Sequence, residues 1–564
     1  MNGMVRKELF GLMSTIIDLN VFNEKINNAK IAVAIDTETN ITEQYHNRYC
    51  MGVAVTVDGE SFYLPVAHDS WMEKGNPNVS LPSDLLKDRG VPFVFHNAKF
   101  DLHVLEKAGI EVPTNLNFYD TMLMSHLINE EEFDFSLQSM ARKYLGESKE
   151  KDLARVLTRD MKWEDTPAFV MEKYAKKDSQ ITYELFLALR PLFEKYEDYW
   201  QTRDKPFLLT LWDMERKGVL VNLEEAHRLK KMCEDRLVQI QIDLGFNPNK
   251  KKELHDKLFG PPPLGYGLKP KTYTAKKNEP QVNTAFLEST NHPVCGLLLE
   301  HSELKKQLTS YYNAYIRLCE GYGRIHPGFK QHGTVTGRLS CAVPNMQQIP
   351  RESPIKKLFR PEPGFQLWEI DYKNIEMRLA AVYSKEPALL NTFAAEGDVH
   401  QLTADLLGIS RQHAKTVNFL IIYGGGARAL STQIKLPEAD CKKILNRFRE
   451  AYPNLFRTMT ACTASAEACD GVIKLWTGRE RHFRSHWDYH KAFNSLVQGG
   501  SFEIVKTSML LLQREGFDMR NQVHDSVWLM VKSKAEVERA EKIMTEWTTK
   551  GFGLTFSVDS KQLA

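Results

Sequence analysis

Near the N-terminus, Ala34-Ile35-Asp36-Thr37-Glu38-Thr39 closes an apolar run with two acids two positions apart. In a strand, a period of two turns both carboxylates to one face. Side by side they repel each other, an arrangement that makes sense when cations lie between them. Asp101, in His96-Asn97-Ala98-Lys99-Phe100-Asp101, adds a third acid after another apolar run. Tyr174 and Asp178 stand four apart in a helical pattern and so share a face. Four acids and a phenol are the inventory of two-metal phosphodiester hydrolysis, in which one metal activates water and the other stabilises the leaving oxygen.

A second group is spaced by fours: Arg411, Lys415, Phe419 and Tyr423, followed by Gly424 to Gly426. On a helix these form a spiralling stripe with two cations at one end and two aromatics at the other. Phosphates suit the cations, and a stacked base suits the aromatics. Ala414, Val417 and Ile421 fall on another side and are candidates for the core. An ordinary amphipathic helix with its aromatics in the core is the plainer alternative. A third group is a pair of single acids. Asp371 ends the strand-like Phe365-Gln366-Leu367-Trp368-Glu369-Ile370, and Asp525 sits inside Gln522-Val523-His524-Asp525-Ser526-Val527-Trp528. Asp525 alone reads as a hairpin turn residue; with Asp371 on a neighbouring strand end it reads as half of a magnesium-binding pair.

These groups need elements to hold them. Residues 31–195 alternate strands and helices: a buried strand at Lys30–Ile35, a hairpin across 51–67, another strand at Val91–Phe95, helical patterns at 101–109 and 119–129, and a long amphipathic helix over 167–190. From 200 to 320 the chain is helical and charged, interrupted by a Pro-, Gly- and Lys-rich loop at 259–280. Those lysines, with Lys250 to Lys252, could follow a phosphate backbone or simply be solvated. Short strands then enclose a helical block at 399–470. The 564 residues suggest three or four domains, and 42% hydrophobic with 26% charged residues is ordinary for a soluble globular protein. A net charge of only +2 advertises no polyanion partner by itself. Eight widely spaced cysteines without a Cys-x-x-Cys argue for free thiols in a reducing compartment, here taken as cytoplasmic. No membrane span or signal peptide is read from the sequence.

The first group resembles a DnaQ-like proofreading 3′→5′ exonuclease with a tyrosine in its third motif. The resemblance implies Asp36, Glu38, Asp101 and Asp178 as metal ligands and Tyr174 as the residue orienting water; Asp120, in the segment after the second motif, reads as structural. From about residue 30 onward the chain resembles a family A DNA polymerase of the bacterial polymerase I large-fragment type. Asp371-Tyr372-Lys373-Asn374-Ile375-Glu376 is similar to motif A, Arg411 to Gly424 to motif B, and Gln522 to Ser526 to motif C. Further similar stretches lie at 214–222, 336–350, 397–408 and 492–500. The fold implied is multidomain α/β and α+β: a lead at 1–30, a ribonuclease-H-like exonuclease domain at 31–195, and a right-hand polymerase at 196–564. Within the latter, the thumb would span 225–320, the fingers 399–490, and the palm 321–398 and 491–564.

The same resemblance implies roles. Asp371 and Asp525 would bind two magnesium ions, with manganese able to substitute. Arg411 and Lys415 would hold the triphosphate, Phe419 the sugar and base, and Glu376, supported by Tyr423, would exclude a ribose 2′-hydroxyl. Arg338, Asn345, Gln347, Gln498 and His524 would lie along the primer–template. The implied partners are primer–template DNA and dNTPs, for a monomer of the kind phages carry. The chain departs from the family pattern at Ser526, where motif C has glutamate, at Lys373 and Asn374 in place of Ser-Gln, at Leu420 in place of glycine, and at His490 in place of arginine. The chain starts close to the exonuclease-like region, which reads as lacking a 5′-nuclease domain, and the arm at 225–320 is short for a thioredoxin-binding insertion. Two other readings are a 3′→5′ exonuclease with a weakened polymerase site and a non-catalytic primer–template binding protein. Glu376, as a block to ribose, argues against RNA synthesis but not against an RNA template.

Overall fold

The strand ending in Asp36 and Glu38 is the centre of a five-stranded mixed sheet in a computed structural model that describes residues 18–68, 77–147, 162–274, 276–350 and 353–564. The opening residues read for targeting, and the lead before Asp18, lie outside the described residues. The spatial order is Glu60–Pro65, Cys50–Val57, Val33–Thr39, Phe93–Phe95, Phe118–Asp120. The first three strands run antiparallel to their neighbours and the last two join in parallel. The expected hairpin turns at Asp58-Gly59, both with positive φ, which is the two-residue geometry that matches strand twist. The Asp58 carboxylate also accepts from the backbone N–H groups of Lys30, Ile31 and Ala32, pinning the entry to the central strand. The long helix runs Ala168–Phe193 and lays Met171, Ala175 and Ser179 on the sheet, where Ser179 Oγ meets Thr56 Oγ1 at 2.9 Å. The helix expected over 119–129 begins only at Thr121. Tyr119 and Asp120 belong to the edge strand, and the Asp120 carboxylate caps the helix through the N–H groups of Met122 and Leu123.

Contacts divide the chain into two units. The larger joins 1–218, 326–348 and 362–563. Besides the first sheet it holds a four-stranded antiparallel sheet in the order Asp518–Val523, Ser526–Val531, Gln366–Tyr372, Val558–Gln562. The helix Ala492–Arg514 is buried along most of its length. Its buried charges are matched: Lys506 Nζ donates to Asp204 at 2.8 Å, to Glu503 at 2.9 Å and to the Tyr199 hydroxyl at 2.9 Å. Removing one partner of such a buried set costs about 3–5 kcal/mol, so these groups bind the 196–218 segment firmly to the helix. The helical block at 399–470 consists of Val399–Leu407, Arg411–Ile422, Ala427–Ile434, Glu438–Ala451 and Pro453–Ala468.

The smaller unit, 219–325 and 349–361, packs the helices Leu223–Leu244 and Pro293–Gln307 around Ile240, Leu258, Phe286 and Leu298. A bidentate Arg236–Glu300 pair, at 2.7 and 2.8 Å, joins the two helices. The eight cysteines are free thiols. No helix among the described residues is long and apolar enough to cross a membrane.

Candidate active sites

In the first sheet, Asp36 and Glu38 sit opposite Ala54 and Gly52, and the register shifts just after Glu38. Glu38 is buried and Asp36 partly so. Asp101 reaches this strand from the helix Ala98–Lys107, where its Oδ1 accepts from Thr37 N at 3.1 Å and Thr37 Oγ1 at 2.7 Å. The helix starts there because Asn97 adopts a left-handed conformation and Asp120 accepts from the N–H groups of Asn97 and Ala98. Asp120 therefore caps two helices at once, the structural role its position suggested. Burial drives the Asp101 carboxyl well above the usual range; the Thr37 donors oppose this, and Asp120 and Glu38 add like charge. Asp178 is buried on the long helix, and one turn earlier Tyr174 packs edge-on against Trp163 at 5.9 Å. Trp163 in turn donates to the Thr39 carbonyl at 2.9 Å, tying this corner to the end of the acid-bearing strand.

In the second sheet, Asp371 pairs directly with Ser526, and the Tyr372 N–H donates to the Asp525 carbonyl at 3.3 Å. Val523 pairs with Ser526, so His524 and Asp525 form a two-residue turn, with His524 at φ +53°. Asp525 is thus a turn residue, and its turn stands beside the Asp371 strand. On its other side Asp371 faces Asp559, which pairs with Lys373 at 2.7 Å. The Glu376 carboxylate is buried between Arg338 and the Tyr423 hydroxyl, the latter at 2.8 Å. Burial raises the Tyr423 phenol, and the Glu376 carboxylate it donates to adds to the effect.

Arg411–Ile422 is a helix, capped by Ser410, with Ala414, Val417 and Ile421 buried as the spacing predicts. Lys415, Phe419 and Tyr423 line a cavity of about 300 Å³ together with Gln412, Leu420 and Gln433. Arg411 instead pairs with Asp398 at 2.6 Å. Leu420 folds against Gly425, where any Cβ would collide with it. Asn374 meets His400 Nε2 at 3.2 Å, and His400 Nδ1 meets Asn418 Nδ2 at 2.9 Å. Burial lowers the His400 imidazole to about 4, so it is neutral at pH 7. Gln347 Nε2 donates to Gln522 at 2.7 Å, Gln522 in turn donates to the His524 carbonyl, and Asn345 Oδ1 accepts from the Gln347 N–H at 3.0 Å. Gln498 lies half-buried on the Ala492–Arg514 helix, and His490 Nδ1 bonds the Trp487 carbonyl at 2.7 Å. Glu369, His400 and Gln522 were not singled out in the sequence; each gains its place from a partner distant in the chain.

Every donor in the two acid sets is a hard oxygen, which suits divalent cations of the magnesium and manganese type. Among the described residues no three His, Cys, Asp or Glu side chains form a ready cage.

The sequence model of DNA polymerase family A matches residues 221–561, more than half of the chain. The chain belongs to DNA polymerase family A. A model of 3′-5′ exonuclease domains matches residues 12–194. This family A chain is 28% identical over 464 residues to DNA polymerase I of Treponema pallidum, covering 76% of this chain and 46% of that protein. It is 26% identical over 557 residues to DNA polymerase DpoZ of Salmonella phage PMBT28, covering 85% of this chain and 86% of the relative. The chain spans about half to three-fifths of the length of the bacterial polymerases it matches. The POL domain of Pol1 from M. smegmatis, solved with DNA primer-template and dNTP, superimposes with a TM-score of 0.80 at 20% identity over 98% of both chains. The fold is thus mixed α/β and multidomain, as expected, with a polymerase part and an exonuclease part. Domains of both families generally use divalent metal ions.

Proposed function

We propose that this chain is a template-directed DNA polymerase with a 3′→5′ proofreading exonuclease. The observation that carries the reading is the pairing of the Asp371 strand with the Asp525 hairpin, linked through Glu376 to Tyr423 at the end of the cavity-lining helix. Bound at Asp371 and Asp525, two magnesium ions would activate the primer 3′-hydroxyl and stabilise the developing charge on the α-phosphate and leaving pyrophosphate. The chain's own contribution is positioning and charge. Lys415, with Arg411 nearby on its Asp398 tether, offers cations to the triphosphate, and Phe419 offers a flat apolar face to the sugar and base. Asp36, Glu38, Asp101 and Asp178 would hold the metals of the exonuclease, with Tyr174 orienting water. Arg338, Asn345, Gln347, Gln498 and His524 would line the primer–template path. We assign 225–320 to the thumb, 399–490 to the fingers, and 321–398 with 491–564, which carry the Asp371/Asp525 sheet, to the palm of a cytoplasmic monomer.

The direct test is a gel assay on a 5′-labelled primer annealed to a template, with magnesium, with and without the four dNTPs. The reading requires lengthening with dNTPs and trimming without them; trimming in both lanes would leave only the nuclease. A further expectation concerns sugar selection. Arg338 and Tyr423 clamp Glu376 in one orientation, so it acts as a rigid block beside the nucleotide. Glu376→Ala should raise ribonucleotide insertion relative to deoxyribonucleotide by about 10- to 200-fold, the range a pocket contact of this size discriminates. Competitive insertion of rCTP against dCTP measures it, and an unchanged ratio would remove the assignment.

A further inference from the structure

Ser526 stands where the family motif has glutamate, and its hydroxyl is not idle. The residue is buried, and its Oγ lies 3.1 Å from Glu369 Oε1 and 2.9 Å from the Val523 carbonyl. The Trp528 indole N–H donates to the same Glu369 oxygen at 3.2 Å. Glu369 precedes Asp371 by two residues in one strand, so both side chains leave the sheet on the same face. Across the ladder, Asp371 pairs with Ser526 and Glu369 with Trp528. Directly opposed residues in antiparallel strands have Cβ atoms about 5 Å apart, within the span of a glutamate side chain. A serine leaves room for that side chain, and the Trp528 N–H, together with a Ser526 hydroxyl whose one proton is shared between Glu369 and the Val523 carbonyl, restricts its orientation.

We infer that Glu369 supplies, from the strand of Asp371, the third carboxylate that Ser526 removes from the turn of Asp525. The inference rests on the polymerase reading above. Its charge adds to that of the two aspartates and strengthens their hold on divalent cations; Ser526 and Trp528 act as its positioning residues. The departure at 526 is then a relocation of the acid rather than its loss.

Glu369→Gln isolates the charge, because the amide oxygen can still accept from Ser526 and Trp528. Extension should fall about tenfold or more, the order expected when one stabilising charge leaves a reacting centre, and half-saturating Mg²⁺ should rise severalfold. In an Asp101→Asn background, which weakens the exonuclease site, Mn²⁺ binding followed by electron paramagnetic resonance should weaken by a similar factor. Ser526→Glu alone presses a second carboxylate against Glu369 and should also impair extension. The double variant Glu369→Ala/Ser526→Glu returns the acid to the turn and should recover both extension and Mn²⁺ affinity to within a few-fold of the parent. Primer digestion in the unmodified exonuclease background reports folding of each variant. Glu369→Gln with parental extension and Mn²⁺ affinity would overturn the inference, as would a double variant no better than Ser526→Glu. A parent that digests but never extends would instead overturn the polymerase reading itself.

Discussion

Asp525→Asn is expected to reduce primer extension by about 10³-fold, or about 4 kcal/mol of barrier, while digestion of the same primer continues at the parental rate. The change removes charge and little else. The turn that carries Asp525 is held by backbone: Val523 pairs with Ser526, and the Tyr372 N–H meets the Asp525 carbonyl. None of these contacts uses the carboxylate, so the asparagine variant should keep the fold and the adjacent Asp371. Asp371→Asn should act alike, since the same strand pairing supports it. Single-turnover extension with dNTPs and digestion without them, on one enzyme preparation, separate the effects. Parallel loss of both activities would contradict two distinct sites.

Asp101→Asn should have the mirror-image effect, abolishing digestion to the limit of the gel assay and sparing extension. Asp101 is buried with Glu38 and Asp120 in electrostatic range, and its carboxyl is pushed up by that burial. Asparagine keeps an oxygen to accept from Thr37 N and Oγ1 and replaces a carboxyl whose ionised form burial disfavours. Thermal unfolding in EDTA is therefore expected at or above the parental temperature, even as activity disappears. A fall of several degrees would mean that the carboxylate is a structural anchor rather than a group held in place for chemistry. Digestion at the parental rate would remove Asp101 from the exonuclease site altogether.

Much of this molecule is local enough to read in one dimension. A continuous apolar run locates the strand of Asp36 and Glu38, Asp58-Gly59 announces its hairpin, and spacing by fours separates the cavity-lining face of Arg411–Ile422 from its buried face. Periodicity and turn chemistry depend on neighbours within a few residues, so sequence alone determined these elements, the acids they carry and the family motifs. Pairings between distant segments were decided only by tertiary structure. Asp371 meets the Asp525 hairpin across more than 150 residues, Arg338 is drawn onto Glu376, and Ser526 finds Glu369. The same holds for the grouping of 1–218 with 326–348 and 362–563 into one unit. No residue type or spacing encodes a strand register between segments so far apart. It follows from which apolar faces bury each other, and the positions of the charged groups follow from that packing.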